Sequence, residues 1–217
     1  MLFRQHFALK RFLTLLIGIF CFQIAHASHI VGGDITYEHI SGDDYQINLR
    51  IYRDTEGYTF DTTVYLYIYE EIDVNTFIPF DQISIQLNEE NIFSLNTESA
   101  PCVIGAPDLD FEVAYYSIIV NLPNIDAENW NGYHIGSQRC CRNSTLANIQ
   151  QPANTGIVWY VHLNKLALNN NHSSPIFNEF EELYICAEYE SEIDFSVVTN
   201  NTNTTIEYYP FTPFAEG

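Results

Sequence analysis

The feature that most restricts the fold of this chain is an alternation of apolar and polar side chains with a period of two. It is clearest in YQINLRIY at residues 45–52 and in VYLYIY at residues 64–69. Such alternation is typical of a β-strand that buries one face. No apolar pattern with a helical period persists along the chain, so the sequence predicts an all-β fold.

Further strand candidates follow along the chain. Residues 111–122 are apolar on both faces, which predicts a central strand. Turn-forming residues separate the candidates at 41–44, 123–124, 131–132 and 151–152. Many short strands at such spacing favour an antiparallel β-sandwich. The other candidates are residues 80–87, 132–142, 156–163, 183–187 and 193–199.

The first 27 residues have the pattern of a cleavable signal peptide. A positively charged start precedes an apolar run at residues 12–22, which is too short to span a bilayer. Ala-His-Ala at 25–27 provides the small residues that signal peptidase requires. Cleavage before Ser28 is therefore predicted, with a secreted or outer cell-surface location and no membrane span after cleavage. The charges at the start are Arg4, Lys10 and Arg11.

The net charge restricts the partners. Removing three cationic residues and no acidic ones lowers the formal charge from −20 to −23. Such a surface repels nucleic acid and anionic membranes. Aromatic residues make up 15% of the chain, enough for a folded core despite this charge. We therefore expect a globular protein whose partner is a protein or glycan surface ligand.

Cysteine use predicts disulfides. Cys21 leaves with the leader, so Cys102, Cys140, Cys141 and Cys186 remain, an even number in an exported chain. A bond between the adjacent Cys140 and Cys141 needs a strained ring, and we set it aside. Two connectivities then stay open, each joining Cys102 to one member of the doublet and Cys186 to the other. If the doublet lies in a strand, its two side chains point to opposite faces, and disulfides would then hold that strand on both sides.

Composition suggests how the chain is divided. We expect a β-sandwich at 28–165, a polar linker at 166–174, and final strands or an incomplete second β domain at 175–217. The proposed linker is rich in asparagine and serine and meets a proline, as linkers often do.

One row of aromatic side chains is a candidate binding face. Tyr65, Tyr67 and Tyr69 share one face of a predicted strand. Exposed, they would stack on sugar rings or contact a protein partner. Alternatively, a second sheet, a loop or a neighbouring module covers them.

The sequence contains no convincing active site, and we predict a non-enzymatic protein without a cofactor. No GxSxG, P-loop or GxGxxG motif is present. The acidic clusters, including that of Glu70, Glu71 and Asp73, match no calcium loop, so they are interpreted as solvated and no metal ligand is assigned. The histidines of the mature chain are taken as ordinary surface or core residues: His29, His39, His134, His162 and His172.

One enzymatic alternative remains. Cleavage one residue later would place His29 at the N-terminus, where its amine and imidazole could hold copper with a second histidine. The chain would then be a copper-dependent polysaccharide-active enzyme, but spacing identifies no partner histidine.

Four segments, in order, resemble a known family: SHIVGGDI at 28–35, YQINLRIYRD at 45–54, SQRCCRN at 137–143 and NHSSPIF at 171–177. They are similar to the N-terminal region of Bacteroidetes-type surface proteins that end in a gliding-motility-associated C-terminal domain, the sorting signal for type IX secretion. The resemblance covers most of 28–217. It implies tandem immunoglobulin-like or related β modules and display or release at the cell surface.

The chain departs from that family in three ways. Cysteines usual in the family near Thr55 and Asp110 are missing, so one family disulfide is expected to be absent. An Asp/Gly-rich, calcium-type loop is replaced by NNTNTT at 200–205, and no sorting domain follows. We therefore expect a stand-alone or truncated head: an immunoglobulin-like, disulfide-stapled sandwich with a structural or adhesive role, linked to gliding or attachment. A carbohydrate-binding module is the alternative.

Overall fold

The fold was analysed in a computed structural model, which describes residues 30–55, 57, 59–95, 110–143, 146–178, 190, 192, 194–202 and 204–210. The strands of the first half are β1 (Ile30–Ser41), β2 (Asp44–Asp54), β3 (Thr63–Asp73), β4 (Thr76–Gln86) and β5 (Ile92–Leu95). Those of the second half are β6 (Phe111–Asn121), β7 (Gly132–Arg139), β8 (Ile157–Asn164), β9 (Ile176–Phe177) and β10 (Val197–Val198). One α-helix, α1, spans Lys165–Asn169, and short 3-10 helices span Glu89–Asn91 and Pro152–Asn154.

The strands form two four-stranded antiparallel sheets. The first sheet has the order β1-β2-β6-β5 and the second has the order β4-β3-β7-β8, while β9 and β10 form a separate two-stranded ribbon. The inward side chains of both large sheets belong to one hydrophobic core. The all-β prediction is confirmed, and the arrangement is sandwich-like.

The period-two pattern of the sequence explains which side chains enter this core. On β2, Tyr45, Ile47, Leu49 and Ile51 are buried, while the residues between them are only partly covered. On β3, the apolar members of VYLYIY are buried in the same way. Full burial of a large apolar side chain stabilises the fold by about 1.5–3 kcal/mol, which favours this register over its one-residue alternative.

Most of the predicted strands are present, with some changes at their ends. The predicted strand at 132–142 ends at Arg139, and β6 contacts β5 only through residues 111–114. The candidate at 193–199 contributes only Val197–Val198, and the candidate at 183–187 lies outside the described residues. The helix α1 was not predicted, because five residues are too few to show a helical period.

The predicted linker at 166–174 packs against the sandwich. Ala167 and Leu168 of this segment are buried in the core. Ser174 is also buried, and its backbone N–H donates to the Tyr37 carbonyl oxygen of β1 at 2.9 Å. In return, the Tyr37 N–H donates to the Ser174 hydroxyl at 3.0 Å. Polar composition alone therefore did not reveal that this segment is anchored on β1.

Candidate functional site

The tyrosine row lies on the outer face of the second sheet, the face turned away from the core. Tyr65 and Tyr69 are 47% and 39% exposed, and Tyr67 between them is partly buried. Pairing places Tyr67 opposite Gly136 of β7, and Tyr69 opposite His134. Within the described part of the chain, two of the three tyrosines are therefore exposed on this face.

The same face continues beyond the tyrosines into a cluster that sequence analysis did not identify. Glu71 is two residues beyond Tyr69 and therefore on the same side of β3. His134 of β7 pairs with His162 of β8, so the two imidazoles are neighbours across the ladder. We call Glu71, His134 and His162 the triad. One potential ligand atom from each lies within 4.8 Å of the others.

Both histidines direct the same ring nitrogen towards one carboxylate oxygen. The Nε2 atom of His134 is 3.1 Å from Glu71 Oε2, and the Nε2 atom of His162 is 3.9 Å from it. The two imidazole rings are stacked, with centroids 4.1 Å apart and planes 15° from parallel. The triad side chains are largely covered, being 13% exposed for Glu71, 16% for His134 and 27% for His162.

Asn131, in the turn before β7, holds the carboxylate and one histidine. Its side-chain amide donates to Glu71 Oε2 at 2.7 Å, and its backbone N–H donates to the Glu71 carbonyl oxygen at 2.9 Å. Its own carbonyl oxygen accepts from His162 Nε2 at 3.0 Å. Because a carbonyl can only accept, His162 carries a proton on Nε2 in this arrangement.

Gly132 makes this position of Asn131 possible. Its φ of +103° suits glycine, and a Cβ there would lie 2.2 Å from the Leu163 carbonyl oxygen. The turn can therefore approach β8 closely only without a side chain at 132.

Two aromatic residues complete the surroundings of His134. The Nδ1 atom of His134 is 2.5 Å from the Tyr160 hydroxyl, on β8. With Nε2 donating to Glu71, Nδ1 accepts the hydroxyl proton of Tyr160. On the other side, the ring of Phe77 on β4 contacts His134 edge-on at 4.8 Å. Neighbours on three sides thus fix the orientation of this imidazole.

The local environment shifts three pKa values. Burial raises the pKa of Glu71, but hydrogen bonds from His134, Asn131 and the Asn75 backbone outweigh it, so that pKa lies below its usual value. Burial, followed by the charge of His134, lowers the pKa of His162. Burial and the Glu71 carboxylate raise the pKa of the Tyr160 phenol. The triad therefore favours an ionised carboxylate beside a neutral His162, the forms that bind cations.

Sequence reasoning missed the triad because its members are far apart in the chain. His134 and His162 are 28 residues apart, and Glu71 was grouped with Glu70 and Asp73 as part of a solvated cluster. A signal was present for the histidines: His134 and His162 lie within the predicted strands at 132–142 and 156–163, whereas Glu71 lies two residues beyond the predicted segment at 64–69. Only the pairing of β3 with β7 and of β7 with β8 could show that they meet.

The predicted disulfide pattern needs a correction at the doublet. Cys140 and Cys141 are bonded to each other, the pairing that we had set aside. The doublet follows the end of β7 at Arg139, and Cys141 has a left-handed backbone with φ of +75°. The doublet therefore does not lie in a strand, which was the condition for linking both faces of that strand. Cys102 and Cys186 lie outside the described residues.

His29, on which the copper alternative depends, also lies outside the described residues. Within the described part of the chain, no helix is long and apolar enough to cross a membrane.

The five arginine and lysine side chains beyond residue 27 are held by acceptors of the protein itself. Three contact carboxylates and two donate to backbone carbonyl oxygens, so the face with the tyrosines and the triad gains no basic patch from them. The pairs are Arg50 with Asp34, Arg53 with Glu112, Arg139 with Asp61, Arg142 with Gly156 and Lys165 with Ala127.

Comparison of the chain with protein-family models, with curated proteins and with solved structures finds no match.

Proposed function

We propose that this chain is an exported, immunoglobulin-like β-sandwich module with an adhesive role at the cell surface, and that it binds through the outer face of the second sheet. The observation that carries the proposal is the exposure of Tyr65 and Tyr69 in one row on that face. Tyrosine presents a rigid apolar ring and a hydroxyl, a combination common at binding surfaces. The partner is a protein or a glycan outside the cell. Binding to it attaches the cell, or the surface layer of the cell, to that partner.

A second candidate function, carbohydrate binding, is favoured by a glycine that lies between two tyrosines on this face. Gly136 lies between Tyr67 and Tyr160 on the neighbouring strands. Among the described residues other than Gly136 and its two chain neighbours, the only atom within 4 Å of a Cβ placed there is the Trp159 backbone oxygen, at 3.3 Å. With no side chain at 136, no group of that residue stands between the two tyrosines, which favours stacking of a sugar ring on them. The formal charge of −20 favours a neutral glycan over an anionic one.

Replacing both exposed tyrosines with alanine, in Tyr65→Ala/Tyr69→Ala, is expected to weaken ligand binding at least tenfold. Each exposed aromatic contact contributes about 1 kcal/mol, and together they exceed the 1.4 kcal/mol of a tenfold change. A glycan array and an attachment assay with cells that express the variant measure the effect.

The matched control is Tyr115→Ala, which removes a tyrosine from the outer face of the first sheet. Loss of glycan binding together with attachment supports the carbohydrate form, and loss of attachment alone supports a protein partner. Binding and attachment that survive in the double variant would contradict the proposed face.

Mass spectrometry of the protein recovered from culture tests export and the doublet together. We expect a mature chain that starts at Ser28 and a peptide in which Cys140 and Cys141 are linked, 2 Da lighter than its reduced form. An intact leader would contradict the export proposal. Free thiols at both positions, in protein alkylated before digestion, would contradict the bond.

A further inference from the structure

We propose that Glu71, His134 and His162 form a binding site for a divalent transition metal of the zinc type. This site goes beyond the adhesive function, which does not depend on it. The triad supplies two imidazole nitrogens and one carboxylate oxygen, a set that zinc uses in proteins. Calcium and magnesium instead prefer oxygen ligands alone, so two histidines out of three disfavour them.

The distances within the triad suit a small tetrahedral ion. Zinc bonds of about 2.0–2.1 Å at tetrahedral angles place neighbouring ligand atoms about 3.3 Å apart. The observed separations from Glu71 Oε2 are 3.1 Å to His134 Nε2 and 3.9 Å to His162 Nε2. To direct the lone pairs of both Nε2 atoms at one ion, the two stacked rings must rotate out of their parallel arrangement about their side-chain torsions. Three protein ligands leave a fourth position for water or for a ligand atom.

The scaffold holds the three groups in place before any metal binds. Each projects from a different strand of one hydrogen-bonded sheet, so their spacing is set by the register of β3, β7 and β8. The three side chains are largely buried, so little water surrounds them. Attraction between the carboxylate and a cation is stronger there than in bulk water.

Neighbouring groups can accept the changes of hydrogen bonding that metal binding requires. In the present arrangement both Nε2 atoms carry protons, one donated to Glu71 and the other to the Asn131 carbonyl. When the two Nε2 atoms bind the metal, each ring moves its proton to its own Nδ1 by exchange with solvent. Nδ1–H of His134 then donates to the Tyr160 oxygen, and His162 gives up its bond to the Asn131 carbonyl. A hydrogen bond of this kind on the far side of a metal-bound imidazole is the usual support for such a ligand. Asn131 likewise keeps the carboxylate oriented through its amide.

The test is zinc binding by the purified full chain, stripped with a chelator and then titrated with ZnCl2 in a calorimeter. We expect one zinc ion per chain. We also expect affinity to fall at least tenfold in His134→Ala and in His162→Ala, because each removes one of three ligands. Tyr160→Phe keeps the ring but removes the hydroxyl, and a smaller loss, up to about tenfold, is expected. Calcium chloride, titrated in parallel, should show no stoichiometric binding.

Two further variants keep the test decisive. His39→Ala removes a histidine of β1 that bonds to the Gly42 carbonyl oxygen, outside the triad, and should bind zinc like the parent. Glu71→Gln is nearly the same shape as glutamate and should lose at least tenfold in affinity even if a histidine variant fails to fold. Absence of stoichiometric zinc in the parent, or parental affinity in Glu71→Gln and the double variant His134→Ala/His162→Ala, would overturn the proposal.

Discussion

Leu66→Ala is expected to lower the free energy of unfolding by about 2–5 kcal/mol, while Tyr65→Ala, one residue earlier on β3, changes it by less than about 1 kcal/mol. Leu66 is completely buried in the core between the sheets, so truncation removes apolar contacts and leaves a cavity. Tyr65 is 47% exposed on the outer face and loses mainly cross-strand contacts. Urea denaturation followed by fluorescence or circular dichroism measures both values.

The pair tests the register of the second sheet, on which both proposals depend. Neighbouring strand residues point to opposite faces, so a slip of one residue would exchange the roles of Leu66 and Tyr65. The same slip would turn Glu71, on the same strand, into the core. A larger loss for Tyr65→Ala than for Leu66→Ala would therefore contradict the tyrosine face and the triad together.

Gly132→Ala is expected to destabilise the protein by about 3 kcal/mol or more, and to disturb the triad in whatever fraction still folds. The new Cβ would clash with the backbone of Leu163 and Asn164, which no side-chain rotation can relieve. Since residue 132 directly follows Asn131, the bonds from Asn131 to Glu71 and His162 would shift with it. Thermal unfolding by calorimetry measures the first effect and zinc titration the second.

Gly42→Ala is the matched control for this substitution. Gly42 also has a left-handed backbone, with φ of +56°, but apart from its chain neighbours no described residue has an atom within 4 Å of a Cβ placed there. Its replacement should cost only the conformational penalty, roughly 1–2 kcal/mol. Equal losses in the two variants would show that the close approach of the turn to β8 is not what requires glycine at 132.

The strands were the part of the fold that the sequence predicted best, because the burial of one face imposes a local pattern. Alternation at residues 45–52 and 64–69 is visible without knowledge of any partner strand, and both segments lie within observed strands. The end of β7 was placed too late, since no glycine, proline, asparagine or aspartate between 139 and 142 marks the end of the strand at Arg139. The pairs β2 with β6 and β3 with β7 join segments that are far apart in the chain. Local patterns therefore could not show which strands are neighbours in the two sheets.

The tyrosine part of the candidate site could be predicted because it, too, lies on a single strand. Tyr65, Tyr67 and Tyr69 belong to one strand, so their common face follows from the geometry of a strand alone. Whether that face is covered depends on the packing of other elements, and the sequence left both possibilities open. The mutual bond of Cys140 and Cys141 depends on a left-handed residue after β7, a backbone angle that the sequence does not encode in any local pattern.

By itself, the sequence determined that this chain is all-β and which side chains are buried in the segments at 45–52 and 64–69, because a period of two is a property of single strands. It also determined the acidic charge and supplied the leader-like start from which export is proposed. Only the tertiary structure decided that Glu71, His134 and His162 meet, because the register between three strands is set by the packing of the whole core. A ladder shifted by two residues would have kept the inward and outward faces of every strand and separated the three ligand atoms.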